Sequence, residues 1–462
     1  MTSGPAALSR RIGLRDAVVI GLASMIGAGA FVAIGAAQDL AGALAPVAVL
    51  VAAVVALCNA TSTAQLAAQH PAAGGTYHYG RERLGPWWGY LAGWCFVLGK
   101  TASCAAMALV IAAYLVPEPV QRPAAALVVV VLTGVNLVGI TRTAALARVL
   151  VGIALTALVL TGGRILVGVL LGDRAAAGAE SGGPDPDGAA SALSTVPGPL
   201  AGQAAGLWDG GLAAAAGASG GATVGIVLAV AQAGAIMFFA FAGYARVATL
   251  GEEVVAPRRT IPRAILLALA VVCALYLVLS FVLVLAGPAP AGEGWGPAPF
   301  LAALAAVGAG GAWPILVTVG AVAAASGALL ALIAGISRTV LAMAREGDLP
   351  SVLAHVSPRF SVPQRAEIAA GAAVVLLVLL ASDVLVAIAA SSFGVLLYYA
   401  VANLAALTQT GAQRLFPRSL QWLGLAGCVL LVATLPGRTI VAGLVVLGLG
   451  LACRGIVLAL RR

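Results

Sequence analysis

The sequence predicts an all-α integral membrane protein, and three observations support that fold class. First, 62% of the 462 residues are hydrophobic and only 9% are charged, whereas soluble domains carry about 25% charged residues. Second, apolar runs of roughly 20 residues, the length at which a helix crosses a bilayer, follow one another along the chain. Third, arginines gather in alternate loops between these runs. Lipid must therefore surround most of the chain.

The apolar runs predict about 12 transmembrane helices. They lie at about 16–42, 45–69, 86–115, 122–141, 145–171, 224–250, 264–286, 312–344, 366–381, 383–407, 421–436 and 438–458. Proline and glycine mark several boundaries, because they end helices and fix short turns. Pro71 and the Gly74–Gly75 pair, for example, follow the second segment.

The basic residues predict how the chain is oriented. With the N-terminus in the cytoplasm, 20 arginines fall on the inner side and four on the outer side, namely Arg122, Arg164, Arg174 and Arg438. Positive charge concentrates in cytoplasmic loops of membrane proteins. The net charge of +9 therefore indicates topology rather than nucleic acid binding. Both termini are expected in the cytoplasm, and the chain in the inner (cytoplasmic) membrane.

The segments group into four regions. Residues 1–171 hold helices 1 to 5, residues 224–410 hold helices 6 to 10, and residues 411–462 hold two further helices. Residues 172–223 are rich in Gly and Ala and predict a flexible extracellular loop, for which a tolerated insertion is favoured over a functional lid. The six cysteines lack metal-ligand spacing, so we expect neither a metal site nor another cofactor.

Two predicted helices carry glycine near their centres. Helix 1 contains GLASMIGAGAF and helix 6 contains MFFAFAGY. A central glycine alone often marks close packing between helices. Helices 1 and 6 hold corresponding positions, however, if the chain consists of two five-helix halves and two extra helices. Glycine-broken helices at corresponding positions of inverted halves indicate the binding site of a transporter.

A broken helix leaves backbone groups free at the middle of the membrane. The N–H groups of residues 27–29 can bind a carboxylate with the help of the helix dipole. Carbonyls from Phe239 to Ala242 can accept hydrogen bonds from an ammonium. The rings of Phe239, Phe241 and Tyr244 can cover the ligand. This pattern predicts a site for a zwitterionic amino acid.

Lys100 is the only lysine in the chain and lies at the middle of helix 3. An ammonium at the bilayer centre costs roughly 2.5–3.5 kcal/mol on insertion scales. A buried lysine can release its proton, which an arginine does not do. Lys100 is therefore predicted to carry a proton or to contact the substrate side chain; a salt bridge or polar packing is the alternative. A charged lysine here would also repel cationic substrates.

Four stretches resemble motifs of the amino acid–polyamine–organocation superfamily, in its bacterial branch related to cationic amino acid transporters. They are IGAGAF (26–31), HPAAGGTYHYGRERLG (70–85), FFAFAGYARVATLGEEVVAPRRTIPRAI (238–265) and SRTVLAMAREGDLPSVLAHVSPRFSVPQRA (337–366). The resemblance implies a 5+5 inverted repeat with helices 1 and 6 unwound. It also implies amino acid transport by alternating access, often coupled to protons.

Carried over residue by residue, the resemblance implies the same substrate site that the broken helices predict. Its residues are Ile26, Gly27, Ala28, Gly29, Phe239, Ala240, Phe241 and Ala242. In the inner loop before helix 7, Glu252, Glu253, Arg258 and Arg259 are expected to hold the cytoplasmic face.

The chain departs from the family pattern at a few positions. Proton-coupled relatives carry a lysine in helix 5, where this chain has Ala154. An acidic residue is usual near the end of helix 2, where this chain has Gln65. Because Ala154 cannot carry a proton as that lysine does, Lys100 is the candidate proton carrier in this chain.

The sequence thus predicts a secondary transporter that imports amino acids, with protons and lipid as its other partners. An amino acid or polyamine exchanger is the alternative mechanism, and a nutrient sensor without transport is a remote one. An enzyme is disfavoured because no intramembrane pair of carboxylates is predicted, and no catalytic residue is proposed. Which amino acid is carried, and the oligomeric state, stay open.

Overall fold

A computed structural model describes residues 12–70, 74–138, 140–172, 222–248, 254–287, 294–357, 360 and 362–460. Across these ranges the chain is helical almost throughout. Its one extended contact there is an isolated bridge between Ile12 and Val254. The predicted all-α fold is confirmed.

Seven α-helices of the described residues come before residue 173. They are α1 (Leu14–Met25), α2 (Ala28–Ala41), α3 (Ala45–Gln69), α4 (Thr76–Leu84), α5 (Pro86–Leu115), α6 (Glu118–Leu137) and α7 (Ile140–Leu171). The predicted first helix is thus divided into α1 and α2. The short α4 lies in what the sequence predicts as an inner loop.

Nine further α-helices, again counted over the described residues, come after residue 221. They are α8 (Ala222–Phe241), α9 (Ala245–Ala248), α10 (Pro257–Leu285), α11 (Pro299–Ala306), α12 (Ala312–Arg345), α13 (Gln364–Leu380), α14 (Val384–Leu407), α15 (Arg418–Ala433) and α16 (Gly437–Leu460). The predicted sixth helix is divided into α8 and α9. The seventh begins earlier than predicted, because Pro257 at the first helical position gives up an N–H that needs no partner there.

Nine stretches of the described residues are long and apolar enough to cross a membrane. One of them, 28–69, contains both α2 and α3. Two shorter helices, α13 with 17 residues and α15 with 16, match the ninth and eleventh predicted segments. Every predicted segment therefore overlaps a helix or a divided helix.

The outward faces of several helices are apolar, as lipid contact requires. In α6 the side chains of Leu127, Val130 and Val131 are exposed, and in α16 those of Leu444 and Leu449 are exposed. Soluble monomers rarely expose such continuous apolar surface. These helices therefore line the outside of a bundle that lies in lipid.

Helix α5 lies inside the bundle, packed on α12 and α14. It meets α14 at two glycines, where a Cβ on Gly394 would come within 2.7 Å of the Gly99 Cα. Such close crossings are typical of small residues in membrane helices. This crossing places the next residue, Lys100, in the interior, where it is only 5% exposed.

Candidate functional site

Helix 1 is interrupted at Ile26 and Gly27. The N–H of Ile26 still closes the last turn of α1 by donating to the Leu22 carbonyl over 2.8 Å, and the N–H of Gly27 donates to the Met25 carbonyl over 3.0 Å. Gly27 then takes an extended conformation, and α2 starts at Ala28. Gly27, one of the glycines predicted to interrupt helix 1, is therefore the residue immediately before the helix restarts.

The new helix start presents two buried N–H groups. The N–H of Ala30, the third residue of α2, donates to the Gly27 carbonyl over 3.2 Å. Among the described residues the N–H groups of Ala28 and Gly29 have no hydrogen-bond partner, and both residues are buried. Buried backbone donors are nearly always paired, and the start of a helix attracts anions. Of the three N–H groups predicted to bind a carboxylate, those of Ala28 and Gly29 are therefore unpaired in the described structure, while that of Gly27 is paired; the carboxylate site stays a prediction.

Helix 6 is interrupted between Phe241 and Ala245. The Ala242 N–H donates to the Phe239 carbonyl over 3.4 Å, and a turn over residues 242–244 connects α8 to α9. Since α8 ends here, its last carbonyls are not used by the helix itself. The predicted break in helix 6 is therefore present.

The two interruptions touch each other. A Cβ on Gly29 would lie 2.6 Å from the Cα of Ala240, and a Cβ on Gly243 would overlap the Ser24 carbonyl. Glycine is required at both positions because backbone packs directly on backbone. The breaks predicted separately in helices 1 and 6 thus form one junction, defined here as residues 24–29 and 239–244.

Tyr276 of α10 bridges the two halves of this junction. Its hydroxyl lies 2.8 Å from the Met25 carbonyl and 3.3 Å from the Ala240 carbonyl. The ring packs edge-on against Phe241 at 5.1 Å between centroids. A single buried phenol therefore joins the end of α1 to the end of α8.

Lys100 reaches the junction from α5. Its Nζ donates to the Ala242 carbonyl over 3.0 Å, and the Tyr399 hydroxyl of α14 donates to the same oxygen over 3.1 Å. Stacked rings of Tyr244 and Tyr399, 4.9 Å apart, lie alongside. The one lysine that the sequence singles out thus contacts the unwound part of helix 6.

One face of α5 runs past both breaks. Lys100, Cys104 and Met107 are four and three residues apart, a spacing that places them in a row along the helix. A Cβ on Gly27 would lie 3.3 Å from the Met107 terminal methyl. The helix 6 break therefore faces Lys100, and the helix 1 break faces Met107 two turns away.

The sequence profile of the amino acid permease family matches residues 16–449. The chain belongs to this family. The predicted superfamily resemblance is confirmed, and the function of this permease is transport rather than catalysis. The profile covers both interrupted helices and Lys100.

Three relatives show how far the similarity extends. An uncharacterized transporter of Mycobacterium tuberculosis is 48% identical to this permease over 453 residues, 98% of this chain and 92% of the relative. The vacuolar cationic amino acid transporter 4 of Arabidopsis thaliana is 29% identical over 389 residues, 80% and 58% of the two chains. A methylthioribose transporter of Bacillus subtilis is 36% identical over 141 residues, 30% and 29%.

The remaining predicted site residues fall into two groups. The aromatic rings of Phe239, Phe241 and Tyr244 are buried at the junction. Of the inner-loop group, Glu252 and Glu253 lie outside the described residues, and Arg258 and Arg259 are exposed. The inner-loop role of these four residues stays a prediction.

Gln65, which replaces a usual acidic residue, uses its amide to hold a loop. Its carbonyl oxygen accepts the N–H groups of Leu415 and Phe416, each over 3.1 Å, and its amide nitrogen donates to Gln409. The side chain thus connects α3 to the segment before α15. None of these partners belongs to the junction.

An acidic residue gathers several partners at the end of the bundle predicted to face the cytoplasm. The Asp348 carboxylate pairs with Arg454 at 2.7 Å and Arg81 at 3.2 Å, and accepts the Tyr77 hydroxyl at 2.8 Å. Burial, and then the hydrogen bond to Asp348, raise the pKa of Tyr77. We call these four residues the Asp348 cluster.

Sequence reasoning found the glycines and Lys100 but missed Tyr276, Tyr399 and the Asp348 cluster. Both tyrosines lie in apolar helices outside the four motifs, where tyrosine is a common packing residue. A buried phenol needs a partner for its hydroxyl, which was the available signal. The sequence does not indicate which carbonyl accepts the hydrogen bond from each hydroxyl.

Proposed function

We propose that this permease imports amino acids across the cytoplasmic membrane by alternating access, in symport with protons. The carboxylate binds at residues 26–29 and the amino group near residues 239–242, with Tyr244 beside them. Both termini face the cytoplasm, and the 5+5 inverted repeat supplies the two interrupted helices. The family, and the arginine distribution in the loops, support this arrangement.

The junction of the two interrupted helices is the observation that carries the proposal. The start of α2 offers buried, unpartnered N–H groups, and the end of α8 offers carbonyls. These ends bear opposite partial charges, which match the carboxylate and the ammonium of an amino acid. A zwitterion is complementary to this pair of helix ends.

Lys100 is the group that we propose to carry the coupled proton. Its ammonium donates to the unwound segment of helix 6, so its loss or gain of a proton alters the site directly. Lysine can be deprotonated when buried, whereas arginine keeps its charge. The titratable side chains beside it in the described structure are Cys104 of the same helix and Tyr399 of α14. Ala154 of α7, which stands where proton-coupled relatives carry a lysine, has no group that could carry a proton.

Of the three relatives described above, two carry substrate names, cationic amino acid and methylthioribose. The family description and the zwitterion-like polarity of the junction favour an amino acid. An amino acid or polyamine exchanger remains the alternative mechanism within the same fold. The two mechanisms differ in what drives accumulation.

Uptake into proteoliposomes tests the function and the mechanism together. With an alkaline interior and no internal amino acid, we expect labelled amino acid to accumulate, and a protonophore to abolish the accumulation. Uptake that depends on internal amino acid and ignores the pH gradient would establish exchange and reject symport.

Variants of Lys100 test the proton carrier in the same assay. Lys100→Ala is expected to remove the response to the pH gradient. Lys100→Arg keeps the charge but holds its proton, so it should also lose the response. A pH response equal to that of the unmodified protein in both variants would reject Lys100 as the carrier.

A further inference from the structure

The position of Lys100 bears on which amino acids the proposed site accepts, and this inference rests on the proposed function. The ammonium donates to the Ala242 carbonyl over 3.0 Å, immediately after the end of α8. That is the negative end of the helix, where a substrate ammonium is expected. A resident cation therefore lies beside the carbonyls at which the substrate amine is proposed to bind.

Two of the carbonyls at the end of α8 already accept hydrogen bonds from the protein, which leaves fewer acceptors for the substrate. A carbonyl oxygen has two lone pairs, and the Ala242 oxygen already receives Lys100 and the Tyr399 hydroxyl. The Ala240 carbonyl receives Tyr276 over 3.3 Å. A substrate that brings a second positive group finds few acceptors here and meets the lysine charge.

Among the described residues, no carboxylate balances the charge of Lys100. Within the described residues it forms no ion pair; its ammonium donates to the Ala242 carbonyl, which it shares with the Tyr399 hydroxyl, and the Cys104 thiol lies nearby. A buried charge is costly unless it is paired. The start of α2 adds a further positive partial charge at Ala28 and Gly29. The junction, residues 24–29 and 239–244, contains no acidic side chain.

We propose that Lys100 is a charge filter, a resident cation at the helix 6 break that selects acidic amino acids and excludes cationic ones. The substrate's second carboxylate supplies the counter-charge that Lys100 lacks among the described residues. A cationic side chain would place two like charges together in a low-dielectric interior, where repulsion is strong. Lys100 is thus a specificity-determining residue of the proposed site.

Pairs of ligands with nearly equal shape and different charge test the filter. We would titrate purified protein with glutamate and glutamine, and with arginine and citrulline, by calorimetry. The unmodified protein is expected to bind glutamate more tightly than glutamine, and citrulline more tightly than arginine. Each preference should be about tenfold or more, since a single charge interaction at short range reaches that size.

Lys100→Gln separates the charge from the hydrogen bond. The amide can still donate to the Ala242 carbonyl but carries no charge, so both preferences should fall toward unity. Lys100→Met, which also loses the donor, should give the same loss. A purely structural lysine would change the stability of the protein and leave both ligand preferences as they were.

The outcomes distinguish the filter from the proposed function. If the unmodified protein binds amino acids but does not prefer glutamate over glutamine and citrulline over arginine, the filter is overturned and amino acid transport stands. Preferences that persist in both Lys100→Gln and Lys100→Met also overturn it. If no amino acid binds at all, the proposed function fails and the filter with it.

Discussion

At the residue scale, glycine at the junction is fixed by contact between two backbones. A Cβ on Gly29 would lie 2.6 Å from Ala240, while one on Gly335 in α12 would meet nothing within 4 Å. Both glycines lie within helices, so they differ in packing rather than in the conformation that they require. They form a matched pair for substitution.

Gly29→Ala is expected to destabilise the protein and to weaken amino acid binding. The added methyl must push α2 away from α8, and overpacking of this kind costs about 1–3 kcal/mol. Gly335→Ala serves as the control and should be neutral or slightly stabilising, because alanine favours helix. Unfolding in mixed micelles gives the free energies, and calorimetry gives the affinities. Equal behaviour of the two variants would argue against direct contact of helices 1 and 6.

Tyr276→Phe should lower the free energy of unfolding by about 1 kcal/mol, in the range for hydrogen bonds between membrane helices. The change removes the donor shared by the Met25 and Ala240 carbonyls. Tyr79→Phe is the control, since the Tyr79 hydroxyl is buried and has no hydrogen-bond partner in the described structure. That variant should be neutral or stabilising. If Tyr79→Phe lowered the free energy of unfolding as much as Tyr276→Phe, the stabilising role of the Tyr276 bridge would be contradicted.

At the scale of elements, the Asp348 cluster joins three parts of the chain. Asp348 follows α12, Tyr77 and Arg81 belong to α4, and Arg454 belongs to the last helix, α16. The Arg454 guanidinium also donates to the Pro86 carbonyl over 2.8 Å and lies 4.6 Å from the Trp87 ring centroid. The last helix is thereby attached to the start of α5, the helix that carries Lys100.

Asp348→Asn should cost about 3–5 kcal/mol of stability, as breaking a buried ion pair does. The side chains of Asp348 and Arg454 are each only 4% exposed, so the arginine would be left buried with a neutral partner. Glu346→Gln is the matched control. Glu346 pairs with the same Arg81 at 3.1 Å but is 51% exposed, and such pairs contribute at most about 1 kcal/mol. Similar unfolding energies for the two variants would contradict a structural role of the cluster.

The elements were predictable to very different degrees. Long apolar helices such as α3 and α5 follow from hydropathy alone, because lipid leaves the backbone no alternative to helix. The breaks at Gly27 and Gly243 were predictable from glycine in corresponding helices. The short α4 and α11 were not, since helices of nine and eight residues leave no clear hydropathy signal. The Asp348–Arg454 pair was not predictable, because no local pattern connects residues that far apart.

At the scale of the whole molecule, the candidate site lies where two interrupted helices cross inside a bundle. The outer helices expose apolar faces, while α5 is buried for most of its length. The proposed import of amino acids requires this centre to open alternately to either side.

Ligand-dependent thermal stability tests most directly whether the junction is an amino acid site. A ligand that binds the folded state at 100 times its dissociation constant stabilises that state by about 2.7 kcal/mol. We expect at least one amino acid in a screen of purified protein to raise the melting temperature. Gly27→Leu should abolish that rise, since even a Cβ on Gly27 would lie 2.9 Å from Ala328. No amino acid giving a rise, or a rise that persists in Gly27→Leu, would contradict the assignment of the site.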